Sequence, residues 1–523
     1  MGRKRRRWVL VGGGLMAMAA TSLVTATGAG AGSGAGTGTS AAEFLVGFAK
    51  QSITPAAPFS YLGGEGWLRI GTTEYEPLYV RTLTIQGTDG HGNAVGNPIV
   101  LSAVDSQGYF AGYQAGASQL GVADYGYDQI RAAMSAATGV PTADLALSST
   151  HTHTAPDTLG IWGGSPVSYF ETVKSACVAS LTAALHSAKP AWLRHGQADG
   201  SAYVYNPIPT SVAPNDYSDP ATWPLDGELR TLQALEWGTD TPIVTLFDFG
   251  VHPDILEGSP LISPDWPSQV IGHIGATYGG DAMFVPGTIG EEPVFPGGDV
   301  QPHTVAYLES EESAYAHEID HVVDQAVGAT ATTVTTGGVG ARLVHVELPG
   351  ANALLLADDY VDTPADVQNQ LQLGHLQRAL VPPYLTANAL GTMVSAMRIG
   401  DGVLLNTPGE SYSDIWFSAT DQIKASWYLL SGLTNDQVGY LTLPAEWPVA
   451  NAYGVMSPAA LYSVGPTAGA DVVAGLDLAA GELGFAVHAS AADLFSDRDP
   501  VAAQMLYCVT SGACQQAVQG NVP

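Results

Sequence analysis

Ser148-Ser149-Thr150-His151-Thr152-His153-Thr154-Ala155-Pro156 carries two imidazoles two residues apart, and Phe249-Gly250-Val251-His252 adds a third about a hundred residues on. Imidazole is the commonest side-chain metal ligand, and several together begin a metal site. The run before the first pair, Ala143-Asp144-Leu145-Ala146-Leu147, alternates like a half-buried strand. On an extended backbone residues i and i+2 project to one side, so His151 and His153 are expected to face the same way. With 13 histidines in 523 residues, chance supplies roughly 0.3 His-x-His pairs, so the pair alone says little. His252, at the end of the apolar run Ile243–Val251, adds weight.

A second candidate is His317-Glu318-Ile319-Asp320-His321, which fits the H-E-x-x-H helix motif of zinc peptidases. At about 100° per residue, Ile319, Val322, Val323 and Ala326 define the apolar face of that helix. His317 and His321 fall nearly opposite, toward water, where a peptidase helix turns them into a cleft. No further histidine follows at the spacing such a site needs, and the expectation is a solvated helix face. His91, in the Asp89-Gly90-His91-Gly92-Asn93 turn, is likewise read as solvated.

The elements that must position these residues follow from pattern and composition. Arg3-Lys4-Arg5-Arg6-Arg7, an apolar stretch Trp8–Ala26 and small residues at Thr25–Ala29 read as a cleavable export signal over residues 1–32, by a general or a twin-arginine route. Residues 33–42 read as a flexible leader, 43–494 as one large domain, and 495–523 as a C-terminal cap. No later window has the roughly 18 uncharged apolar residues of a membrane span, so the expected product is secreted and soluble. Without the basic signal the chain carries 13 basic and 49 acidic residues. That balance argues against nucleic acid and anionic membranes as partners. Cys508 and Cys514 bracket a short loop that a disulfide could close, and Cys177 reads as a buried, inert thiol.

Strand patterns at Tyr79–Gln86, Ile99–Val104, Pro242–Val251, Arg342–Leu348 and Ala396–Asn406 alternate with helical ones at Asp124–Thr138, Ser165–Ala188, Glu309–Val327, Pro364–Leu373 and Ser411–Ser426. No internal repeat or linker divides them. The expected fold is mixed α/β (α+β): one large domain of mixed sheets flanked by helices.

Four separated segments occur in a telling order: the Thr150–Pro156 stretch, Phe249–His252, Thr407-Pro408-Gly409-Glu410, and Gly432-Leu433-Thr434-Asn435 with Val438-Gly439-Tyr440-Leu441-Thr442. Together they resemble the neutral/alkaline non-lysosomal ceramidase family. The resemblance extends to Val46–Ala49, Ser52-Ile53-Thr54-Pro55, Tyr79-Val80-Arg81, Ser102-Ala103-Val104-Asp105, Asp226 and Leu261-Ile262-Ser263-Pro264-Asp265. It implies a Zn²⁺ ion held by His151, His252, Glu410 and Tyr440, with His153 beside it orienting substrate or shuttling a proton. Arg81, Asp105 and Asp265 are carried as further site residues. The implied reaction is hydrolysis of an amide bond in a lipid-like or other N-acylated small molecule. Such a ligand set suits zinc, which polarises a carbonyl and acidifies water.

Two departures accompany the resemblance. The stretch matching the family's serine segment is Thr288-Ile289-Gly290-Glu291-Glu292-Pro293, with proline in the serine's place. Glu291 or Glu292 is then the expected general base for attack by water, and each can also be read as a solvated loop charge. About eighty residues follow Tyr440, too few for the family's immunoglobulin-like C-terminal domain. Two other readings stand beside the amidase: an ester- or glycan-directed hydrolase on the same scaffold, and a non-catalytic extracellular protein that keeps the metal as a structural element. Oligomeric state is not encoded in any of these signals.

Overall fold

The computed structural model describes residues 42–488 apart from 57–60, 65–68, 90, 114–121, 161, 205–224, 291–303, 330, 336–337, 350–388, 444–462 and 466. The export signal, the helix expected at Pro364–Leu373, Glu291–Pro293, and Cys508 with Cys514 all lie outside the described residues.

The architecture is mixed α/β, as expected, and its largest sheet is built from two successive passes of the same order. Residues 44–187 run β1 (Phe44–Ser52), β2 (Tyr79–Thr88), β3 (Ala94–Val104), α1 (Tyr127–Thr138), β4 (Leu145–Ser149) and α2 (Val167–Ser187). Residues 189–329 run β5 (Lys189–Asp199), β6 (Glu228–Glu236), β7 (Pro242–Phe249), α3 (Trp266–Tyr278), β8 (Asp281–Pro286) and α4 (Val305–Asp324), which ends in a π-turn, Gln325–Ala329. In each pass three antiparallel strands are followed by a helical crossover and a strand parallel to the third. β1 and β5 pair antiparallel where the passes meet, giving the order β8-β7-β6-β5-β1-β2-β3-β4.

Each pass also brings a helix against its first strand at a glycine. A Cβ on Gly47 would lie 1.9 Å from the Ala184 carbonyl oxygen, and one on Gly196 would lie 1.9 Å from that of Ala326.

Side-chain alternation divides the two faces of this sheet. Phe247, Phe249, Ala282 and Phe284 pack under α3 and α4, while Val244, Leu246, Met283 and Val285 face a second sheet. That sheet has the order β9 (Val339–Pro349), β10 (Ala389–Ile399), β11 (Gly402–Asn406), β12 (Tyr428–Ser431). Its far face is covered by α5 (Ser413–Gln422) and α6 (Ala468–Glu482). The result is four layers, helix on sheet on sheet on helix.

Two local expectations are corrected. Ala396–Asn406 is a hairpin and not one strand: Ile399 pairs with Gly402, and Gly400 takes φ +61° as the first residue of the two-residue turn. β4 is buried along its whole length, with Leu145 and Leu147 under the helices and Ala146 toward the second sheet. Among the described residues no helix is long and apolar enough to cross a membrane.

The segment after β12 ties both edges of the large sheet together. Gly432 N–H donates to Pro286 O in β8 (2.7 Å), Ser149 N–H in β4 donates to Leu433 O (3.1 Å), and Asn435 N–H donates to Leu147 O (2.7 Å). Leu147 N–H returns a bond to Asn435 Oδ1 at 3.0 Å. Sheet twist of roughly 20–25° per strand turns the two edges toward one another, and these residues fill the seam.

Candidate metal centre

The seam is where the three histidines meet. β4 ends at Ser149, and the chain turns through Thr150–Thr154 instead of continuing extended. Thr150 N–H bonds to Val104 O, His151 N–H to Ser106 O and His153 N–H to Pro253 O. The hydroxyls of Thr152 and Thr154 both donate to Ser263 O, at 2.8 and 2.9 Å. His151 is held at φ +70°, a left-handed backbone that a branched-free polar side chain tolerates at some cost. The two imidazoles do face together, with ring centroids 4.9 Å apart, but a turn and not strand alternation aims them.

His252 arrives from the end of β7, its carbonyl accepting from Trp266 Nε1 at 3.0 Å and its ring 4.9 Å from that of His151. Glu410 stands in a two-residue strand, Glu410–Ser411, paired parallel with Tyr440–Leu441. Glu410 Oε2 lies 3.3 Å from His252 Nε2 and 3.6 Å from His151 Nε2. Gln437 Nε2 donates to the other oxygen, Oε1, at 3.0 Å. All four side chains are buried.

The protonation pattern follows from the partners. His151 Nδ1 is 2.6 Å from the Gln107 carbonyl, which can only accept, so the proton sits on Nδ1 and the lone pair on Nε2. His153 Nδ1 is 2.9 Å from Glu257 Oε1, which fixes the same tautomer. Burial pushes the two imidazoles down to about 3 and about 4, against the opposing pull of Glu410 on His151 and of Asp254 on His153, so both are neutral near pH 7. Burial alone would raise Glu410, but the adjacent histidines bring it down to about 2 and keep it ionised. The centre thus offers imidazole nitrogen lone pairs and an ionised carboxylate that converge. His151 Nε2 and His153 Nε2 face each other at 3.3 Å. That donor chemistry fits a divalent borderline cation such as Zn²⁺.

Tyr440 is in register with Glu410 and half-buried beside Tyr412. Gly290 reaches the same wall: a Cβ there would lie 2.6 Å from the Glu410 carbonyl oxygen, and its N–H donates to Ser411 O. Arg81 and Asp105 form a buried ion pair at 2.7 Å directly behind the Thr150 turn. Asp105 also accepts from Tyr79 N–H, which ties the pair to the start of β2. Asp265 caps α3, accepting from Trp266 N–H and Leu256 N–H, and shapes the loop after His252. His317 and His321 are exposed on α4, opposite buried Ile319, Val322 and Val323, and lie outside the centre. Cys177 is buried in the helix-side core. Gln107, Glu257 and Gln437 escaped the sequence reading; each acts from a loop on a partner distant in the chain, and no local motif marks it.

No protein-family model matches the sequence, and no curated protein matches it. Among solved structures the chain is similar to neutral ceramidase from Pseudomonas aeruginosa, with a TM-score of 0.63 and 17% identity over 86% of this chain and 76% of that one. It is similar also to a ceramidase complexed with C2, with a TM-score of 0.65 and 17% identity over 86% of this chain and 77% of that one. The chain therefore has the neutral ceramidase fold.

Proposed function

We propose that this chain is an exported, zinc-dependent hydrolase of the neutral ceramidase type, cleaving an amide bond in a lipid-like or N-acylated small molecule. The observation that carries the proposal is the buried convergence of His151, His252 and Glu410, on the fold shared with ceramidase, at a point where two imidazole Nε2 atoms and a carboxylate oxygen face one another. His151, His252 and Glu410 would hold the ion, with Tyr440, in register with Glu410, as the implied fourth ligand. Bound there, zinc supplies Lewis-acid polarisation of the scissile carbonyl and acidification of an attacking water.

The chain's own residues do the positioning. The Gln107 carbonyl locks the His151 ring, and the Gln437 amide occupies Glu410 Oε1, leaving Oε2 turned inward. Glu291 or Glu292, next in sequence after the Gly290 that lies beside the Glu410 backbone, serves as proton acceptor in place of a serine nucleophile. The basic and apolar N-terminal residues support export.

Metal analysis combined with fluorogenic N-acyl and O-acyl substrates tests this, comparing the wild type with His151→Ala. Stoichiometric zinc and amide hydrolysis, both lost in the variant, are expected. Hydrolysis confined to O-acyl substrates would move the assignment to an esterase. Zinc without hydrolysis of either would leave a metal-containing binding protein, and no zinc in the intact protein would sink the proposal.

A further inference from the structure

Two tryptophans share a cleft at the end of the large sheet away from the metal centre. Trp192 lies near the start of β5, and Trp237 opens the turn 237–241 between β6 and β7. β7 runs eight residues from Pro242 to Phe249 toward His252, which at about 3.3 Å per residue puts the turn roughly 26 Å from that end of the sheet. With Glu43, Gly238, Asp240 and Thr333, the two indoles line an open cleft of about 440 Å³.

The turn and the first indole are fixed by their own bonds. Trp237 N–H donates to Pro190 O at 2.9 Å, which pins the turn to β5. Gly238 at φ +83° and Asp240 at φ +57° reverse the chain. Trp192 Nε1 donates to Asp240 Oδ1 at 2.9 Å, so a half-buried ring is held beside a carboxylate. The second indole, Trp237, is 39% exposed. Glu43 borders the cleft from just before β1, its carbonyl accepting from Thr88 N–H, and burial raises its carboxyl above the ordinary value.

The lining selects a class of ligand. Two carboxylates and no Lys or Arg face the cleft, and Lys189 close by is paired with Glu236 at 3.1 Å. Such a wall favours positive charge. Indole is the aromatic ring that attracts a cation most strongly to its face, and quaternary ammonium groups are the ligands such rings recognise. A small hydrated metal ion gains nothing from the indoles, and a neutral apolar molecule gains nothing from the carboxylates.

We propose that this cleft binds a quaternary ammonium group of the choline type, free or carried on a lipid headgroup. Trp192 and Trp237 supply ring faces, and Glu43 and Asp240 supply the opposite charge. The site is separate from the metal centre, and the inference does not depend on the metal-hydrolase reading.

The test is saturation-transfer NMR of the mature protein with choline, at constant ionic strength, beside the neutral isostere in which carbon replaces nitrogen. Saturable binding of choline, and weaker binding of the isostere, are expected. Trp237→Leu should weaken choline binding about 2–5-fold, and Trp192→Leu, at the half-buried ring, about 5–30-fold. Asp240→Asn keeps an oxygen for Trp192 Nε1 and removes the charge, and it too should weaken binding. Trp237→Leu should keep the wild-type melting temperature, metal content and hydrolysis.

An isostere that binds as tightly as choline overturns the inference, since the cleft would then read shape without charge. Choline binding that is absent, or unchanged in both Trp237→Leu and Asp240→Asn, overturns it as well. Vesicles separate the two sources. Sedimentation with phosphatidylcholine vesicles, lost in Trp237→Leu, supports a lipid headgroup, and choline binding without sedimentation supports a free molecule. Sedimentation only with phosphatidylglycerol vesicles overturns the charge argument.

Discussion

Gly47, Thr84, Val100 and Leu145 lie side by side across the first pass of the large sheet, and Gly196, Thr231, Phe247 and Phe284 across the second. Five residues beyond Val100 and Phe247 stand Asp105 and His252; six beyond Leu145 and Phe284 stand His151 and Gly290. Equivalent exits from equivalent strands carry different duties. Asp105 is the buried partner of Arg81, and His252 is a donor of the centre. His151 is a donor, and Gly290 is the gap that admits the Glu410 backbone. The comparison teaches that the strands supply placement twice over, and that what the large sheet adds to the centre is written into the residues just past its strand ends.

The largest expected contrast lies between Asp105 and His252. Asp105→Ala leaves the Arg81 guanidinium buried without its carboxylate, at a cost of about 3–5 kcal/mol, while the folded fraction still binds its ion. His252→Ala should cost less stability in the ion-free protein and abolish ion binding and hydrolysis together. Denaturant unfolding and metal analysis on both variants check this. If Asp105→Ala loses the ion while still folded, the two exits are not divided as described.

Next come the paired glycines. Gly47→Ala and Gly196→Ala each force a methyl against a helix carbonyl, and each should destabilise by about 1–3 kcal/mol or more. Similar drops in melting temperature would sharpen the equivalence of the passes, and a loss at only one would break it.

A smaller asymmetry is in titration. The second pass carries Asp265 at the start of α3 and Glu312 in α4, and burial raises both carboxyls: Asp265 against the bonds it accepts from Leu256 and Trp266 N–H and with repulsion from Asp254 and Glu76, Glu312 with repulsion from Asp265 and Glu76. The folded state therefore holds protons that the unfolded chain releases at the ordinary carboxylate pKa of about 4. This stabilisation is complete below that value and lost as pH rises through neutrality. Melting temperature should fall with pH over this window, and Glu312→Gln should flatten the fall; an unchanged slope would remove the pair as its source. Least of all, His317→Ala and His321→Ala should leave ion content untouched and stability within about 0.5 kcal/mol.

Legibility in the sequence followed the range of each signal. The α4 face was readable because one helix's own period determined it. The convergence of His151 and His153 was anticipated from strand alternation, yet the strand stops at Ser149 and a turn with φ +70° does the aiming. α3 was missed although Asp265 and Pro267 mark its start, because Gly272 and Gly275 weaken its pattern. α6 was missed because it is buried on nearly every side and so lacks a polar stripe. The doubled order of the large sheet left no repeat in the sequence, since Val100 and Phe247 need share only a place in a layer. Glu410 and Tyr440 were reached by family resemblance alone; their pairing in register, and the partnership of Glu257 with His153, belong to contacts more than a hundred residues apart or between separate loops.

The bonds from Gly432–Asn435 to β4 and β8 have a consequence in time. Leu147 waits for Asn435, 288 residues later in the chain, and contacts of such long range make folding slow. Until they form, both edges of the large sheet present unpaired backbone that other chains can join. The donors cannot gather earlier, because the same segment closes the seam in which they sit. An ion that binds only the finished centre then lowers the free energy of the last state on the pathway. On the proposed metal-hydrolase reading, metal supply during folding would therefore govern how much of this protein escapes aggregation.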